Sequence, residues 1–181
     1  MPTIYRNSIF VLVFLVCSSV SRATTRYWVG PVGGAYSTAA NWNTASNGSG
    51  VSGAPISTDD LIVDRNATIL IDGGLIYCNS LRITGLARVY FTNGSGNRIF
   101  TIGGGAISPA FRVDYGSELD VTGYSIKLTL YSGSQCEIYG TVDFSGTNSY
   151  MEHPIGTTTT IKSGAVIRYG GTSGNGVGAT S

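Results

Sequence analysis

The chain has 181 residues, a formal net charge of +1 at pH 7, and a composition that is 42% hydrophobic but only 12% charged. This length suits one domain with a real core. Such sparse charge excludes a basic nucleic-acid surface or a polybasic lipid-binding stretch, and so many alternating apolar residues exclude disorder.

The first element is a leader. Arg6 precedes the unbroken apolar run Ile9–Val16, and Ser21-Arg22-Ala23 places small residues at the third and first positions before a cut. This is the order of a secretory signal peptide, spanning 1–23, so the exported chain is expected to begin at Thr24. The run is much shorter than the roughly 20 apolar residues of a transmembrane helix, and no later run approaches that length, so no transmembrane segment is expected. Cys17 raises lipid attachment as an alternative, but bulky Val16 stands where a small residue normally precedes the modified cysteine. Loss of 1–23 removes Arg6 and Arg22 and no acid, which leaves the chain close to neutral. Of the three cysteines only Cys78 and Cys136 then remain, too few for a disulfide framework. Both lie in strand-like runs and read as buried free thiols, with a pairing between them as the alternative.

Residues 24–60 read as an N-terminal cap and lead-in loop. Tyr27, Trp28, Tyr36 and Trp42 make a compact aromatic opening, and 43–58 is rich in Ser, Gly, Asn and Thr. Residues 61–169 read as strands broken by Gly, Asn and Ser, and 170–181 as a flexible Gly/Ser tail. The strand pattern is clearest from 117 to 145. There Leu119 and Val121, then Ile126, Leu128 and Leu130, then Cys136 and Ile138, then Val142 and Phe144 each alternate with polar neighbours. Period two marks strands with one buried face.

These strands recur. Leu119/Val121 map onto Cys136/Ile138 at an offset of 17, and Ile126/Leu128 onto Val142/Phe144 at an offset of 16. Leu81/Ile83 with Val89/Phe91 read as an earlier copy. Ile161 with Val166/Ile167 reads as a later one, after an insertion at 146–158. Two short strands per copy predict an all-β solenoid, whose stacked coils share one core while glycines turn the corners. A β-sandwich of hairpins is the alternative.

The opening Tyr27-Trp28-Val29-Gly30, Gly33-Gly34 and Ala40-Asn41-Trp42 resembles that of Bacteroidetes-type secreted or surface β-helix repeat proteins. The likeness continues through Gly53-Ala54-Pro55 and Thr58-Asp59-Asp60-Leu61-Ile62-Val63-Asp64. The phrases Leu81-Arg82-Ile83-Thr84-Gly85 and Gly116-Ser117-Glu118-Leu119-Asp120-Val121-Thr122-Gly123 are similar to that family's coil phrases. Pro31 interrupts the usual Gly-Gly, and Tyr36 stands where tryptophan is common. The resemblance implies a right-handed parallel β-helix with an N-terminal aromatic cap and a structural, adhesin-like role outside the cell. Such proteins are usually longer and often exported by type IX secretion, so this chain is expected to be a small relative or part of a longer multidomain chain.

Candidate sites are few, and no catalytic residue or cofactor is expected. His153, the only histidine, sits beside Glu152 without metal partners or a nucleophile at a recognisable spacing. Asp59, Asp60 and Asp64 offer hard oxygen ligands for calcium, but their spacing is not that of an EF-hand, and an Asx-type turn accounts for them. The offsets stack Asp120 near Glu137 and Lys127 near Asp143, and a stacked acid pair is the feature a carbohydrate-cleaving β-helix needs. Solvated charges that guard strand edges are the plainer account. Trp28 and Trp42 are expected to close the first coil, with a sugar-binding platform as the alternative, and Tyr131 and Tyr139 to stack on the outer surface. The expected role is a secreted or cell-surface structural module whose partners are extracellular polysaccharide or cell-surface components. The alternative is a carbohydrate-binding or polysaccharide-degrading protein.

Overall fold

The computed structural model describes residues 23–48, 53–105, 107–170 and 178–179. The leader through Arg22, Cys17 and most of the segment after 170 lie outside the described residues.

Apart from one 3-10 turn at Ala39–Asn41, the regular structure of the described residues is all strand. The strands come in successive sets of three. The first set is β1 (Thr25–Trp28), β2 (Gly34–Ala35) and β3 (Trp42–Asn43), and the second is β4 (Asp60–Val63), β5 (Ala67–Leu70) and β6 (Leu75–Cys78). The third is β7 (Ser80–Ile83), β8 (Arg88–Thr92) and β9 (Arg98–Ile102). The fourth is β10 (Phe111–Val113), β11 (Glu118–Val121) and β12 (Ile126–Leu130). The fifth is β13 (Gln135–Ile138), β14 (Thr141–Phe144) and β15 (Tyr150–His153), and the last is β16 (Thr158–Ile161), β17 (Val166–Tyr169) and β18 (Gly178–Ala179).

From the second set on, each set sends one strand to each of three sheets. Sheet A runs β16-β13-β10-β7-β4-β1-β3, sheet B runs β17-β14-β11-β8-β5-β2, and sheet C runs β18-β15-β12-β9-β6. Neighbours pair in parallel, except that β3 lies antiparallel to β1. Three parallel sheets visited in turn are compatible with a β-helix or solenoid. They are not the antiparallel sheets of a hairpin-built sandwich.

Alternation inside each strand becomes a column across strands. Leu61, Leu81, Phe111, Cys136 and Thr159 share one inward column of sheet A, so each circuit takes between 20 and 30 residues. Val89, Leu119, Val142 and Ile167 form a column in sheet B, and Ile76, Phe100, Leu128 and Met151 one in sheet C. One continuous core results, from Trp28 to Met151. Corners between sheets A and B need glycine: Gly116 has φ +73°, and a Cβ on Gly140 would sit 2.1 Å from the Ser117 carbonyl oxygen.

The strand periodicity holds, but the coil register does not. Leu119 pairs with Val142 and Leu128 with Met151, not with Cys136 and Phe144. The strands β11 to β14 carry the same apolar alternation, so a strand two places on imitates the true neighbour three places on. Phe144 and Leu128 still point inward, both fully buried. The missing third strand is β15, which occupies the stretch taken as an insertion at 146–158. β1 and β2 pair within sheets A and B, so the segment expected as a cap also supplies strands to them. In the stretch expected as a tail, Gly178–Ala179 pairs with Glu152 and His153.

Candidate functional site

The corrected register decides which outward side chains meet. Asp120 does not stack on Glu137; it lies in register with Asp143 and, on its other side, with Tyr90. Asp143 is followed in the same column by Arg168, whose Nη1 is 3.7 Å from Asp143 Oδ2. Partial burial raises the Asp120 carboxyl above the ordinary aspartate range, and the negative charges of Asp143 and Glu118 add to this. The Ser145 hydroxyl, donating to Oδ1 at 2.6 Å, opposes it. Lys127 pairs with Tyr150, not Asp143, and its Nζ is 3.1 Å from Glu152 Oε2.

Sheet A carries the other polar concentration. Arg82 and Arg112 are in register, and both hold Asp114, from 2.6 Å and 2.5 Å. Burial alone would push the Asp114 carboxyl up; hydrogen bonds from Thr84, Arg112 and Arg82 outweigh it and hold the group below the usual range. Arg112 also lies 3.6 Å from Glu137 and 4.7 Å from the centre of the Tyr139 ring. The outward Tyr139 thus serves as a cation-stacking surface within the protein. Tyr131 is exposed at the corner beside Gly103 and Gly104. A groove of about 340 Å³ crosses this face, lined among others by Asp60, Ser80, Arg82, Ile107, Pro109 and Arg112.

The three carboxylates weighed as calcium ligands are drawn apart. Asp59 is buried and accepts from Arg26 Nε, from the Thr24 N–H at 3.3 Å and from the Ile56 N–H at 3.0 Å. Its neighbour Asp60 faces the other way along the extended chain and accepts from Asn79 Nδ2 at 2.7 Å and the Ser80 hydroxyl at 2.8 Å. Asp64 accepts from the Ser46 hydroxyl and, at 3.4 Å, from Arg65 Nε. Three carboxylates with three separate donor sets do not make one cation site, and no group of three His, Cys, Asp or Glu among the described residues is arranged to hold a metal ion.

Trp28 and Trp42 are both fully buried, with ring centres 5.1 Å apart in an edge-to-face arrangement. Tyr36 packs against Trp42 and Phe100, and Trp42 Nε1 donates to the Tyr36 carbonyl at 2.8 Å. Neither indole presents a face to solvent, as a sugar platform requires. His153 lies in β15 rather than in a loop; its Nδ1 is 3.1 Å from Thr159 Oγ1, and partial burial lowers its pKa. Cys78 and Cys136 are free and buried, in sheets C and A. Burial pushes the Cys136 thiol up to about 12 and raises Cys78 as well, so neither behaves as a ready thiolate.

Sequence reasoning missed the Arg26–Asp59 pair and the Arg82–Arg112–Asp114 cluster. The only signal for the second was the alternation of β7 and β10, and that becomes informative once the circuit length is known. Comparison of the chain with protein-family models, with curated proteins and with solved structures finds no match in any of the three. No helix among the described residues is long and apolar enough to cross a membrane.

Proposed function

We propose that this chain is a secreted or surface-displayed structural module: a right-handed parallel β-helix, closed at its N-terminal end by an aromatic cap, that acts as a low-charge, adhesin-like rod without catalytic activity. It follows the architecture its opening motif resembles. Its partners are extracellular polysaccharide or cell-surface components, reached after removal of residues 1–23. The observation that carries this reading is the fate of the outward charges. Arg88 pairs with Glu118, Lys127 with Glu152, Lys162 with Glu137 and Arg168 with Asp143, so these charges join one circuit to the next. Side chains tied in this way brace a surface and leave little for chemistry. The test is a glycan array run beside an assay for newly released sugar ends on the same polysaccharides. The adhesive reading expects binding without release, and release of products would overturn it.

A polysaccharide-degrading β-helix is the second reading, favoured by the Asp120–Asp143 register and the raised Asp120 carboxyl. Two carboxyl groups facing one site are what glycosidic cleavage requires. On this reading Asp120→Asn abolishes sugar release and leaves binding intact.

A further inference from the structure

The outer face of sheet A carries two arginines side by side. β7 and β10 are neighbours, and Arg82 and Arg112 are in register on them, one strand spacing of about 4.8 Å apart. Like charges so placed repel unless something lies between them. Asp114 does, accepting from Nε of both. Arg82 Nη1 and Arg112 Nη2 are left with no acceptor among the described residues. The nearby carboxylates are already engaged. The Asp114 side chain is only 15% exposed, whereas those of Arg82 and Arg112 are 47% and 33% exposed. Asp60 accepts from Asn79 and Ser80. The face therefore offers solvent unused cationic N–H donors.

Both arginines line the groove of about 340 Å³. Its lining runs from Thr25 on β1 through Ile62 on β4 to Arg82 and Arg112, three strand spacings or about 14 Å along the stack. Ile107 and Pro109, from the corner before β10, add an apolar wall. We propose that this groove binds an acidic polysaccharide, a chain of uronate units whose carboxylates take the unused guanidinium N–H groups while the apolar faces of its rings lie against Ile62, Ile107 and Pro109. The inference rests on the reading of the chain as a glycan-binding module and names the class of glycan. A planar guanidinium matches a carboxylate in shape as well as charge, and Asp114 already shows this pairing within the protein. A uronate carboxylate is fixed to its ring, so it loses less freedom on binding than the side chains of an acidic peptide.

The experiment is titration of the purified full chain with polygalacturonate and alginate, with the carboxyl-reduced, neutral form of each, and with poly-glutamate. The parent should bind a uronate polymer at least about tenfold more tightly than its reduced form. Arg82→Gln should weaken that binding at least about tenfold with unchanged far-ultraviolet circular dichroism. Ile107→Asp should do the same, because it leaves every ion pair in place and sets a carboxylate in the groove. Arg88→Gln, on sheet B, should bind as the parent does. Equal binding of the reduced polymers or of poly-glutamate overturns the proposal and leaves the adhesive reading standing. So does binding of neutral glycans alone, or uronate binding that Arg82→Gln and Ile107→Asp leave intact or that Arg88→Gln weakens as much. A chain that binds no glycan, neutral or acidic, overturns both.

Discussion

At the N-terminal end of the stack Trp28, Tyr36 and Trp42 lie buried against one another, and β3 turns back along β1. In the last strand of sheet A among the described residues, Ile161 is half exposed. The two ends are built from the same kind of strand and face the same physical problem. A stacked strand buries its inward side chains only if something lies on both sides of it. Upstream, large rings and a reversed strand lie buried against one another, whereas in the last set of strands the described residues leave Ile161 half exposed. The inward columns therefore contribute unequally: a side chain's worth to folding depends on which circuit holds it, not on its size or its place in the alternation.

The largest expected effect is among the buried aromatic residues. Trp42→Ala should cost about 3–5 kcal/mol, as for other buried large-to-small changes, whereas Ile161→Ala should cost less than about 1 kcal/mol in the monomer. Denaturant melts of both variants at low protein concentration measure the difference. Equal losses would mean that the two ends are equally covered.

Asp59 sharpens the same contrast. It ties the N-terminal strand to the second circuit through Arg26 and two backbone N–H groups. Asp59→Ala leaves a largely buried guanidinium without its carboxylate and should cost about 3 kcal/mol. Arg168→Ala removes an exposed pair in β17 and should change stability by no more than about 0.5 kcal/mol. Urea midpoints of the two variants make the comparison.

The cysteines report on how the ends open. Cys136 lies one strand inside β16, and Cys78 lies in β6, the terminal strand of sheet C on the N-terminal side, with β9 between it and the fourth circuit. Labelling with a thiol reagent in mild denaturant should modify Cys136 before Cys78, because β16 and β17, whose inward side chains are less buried, fray at a lower free-energy cost. Simultaneous labelling would show that the stack opens as one unit.

The smallest effect concerns pH. Burial lowers the pKa of His153, so the folded state favours the neutral ring. Its contribution to stability is present above the unfolded-state pKa and is lost as pH falls through the lowered folded value. Acidification from neutral pH through that range should loosen β15 by no more than a few tenths of a kcal/mol. His153→Gln should remove this part of the dependence. Hydrogen exchange of β15 and β16 as a function of pH is the readout.

Much of the fold is legible in residue order alone. Alternation at Leu119/Val121, Ile126/Leu128/Leu130 and Val142/Phe144 names the strands and their buried faces, because side chains on extended backbone alternate whatever the strand pairs with. The burial of Cys78 and Cys136 follows from the same pattern. What the alternation lacks is an address. All strands share it, so nothing in Leu119 distinguishes Cys136 from Val142 as its neighbour, and the carboxylate that meets Asp120 depends wholly on that choice. Irregular corners hide the period further, since circuits differ in length by up to ten residues along one column. The amino-acid sequence by itself determined that this chain forms strands with one apolar face, since that depends on local backbone geometry and side-chain polarity. Only the tertiary structure decided that three sheets share the core, that Asp120 meets Asp143 and that Trp28 and Trp42 are buried against each other, because stacking register is set by contacts between residues far apart in the chain.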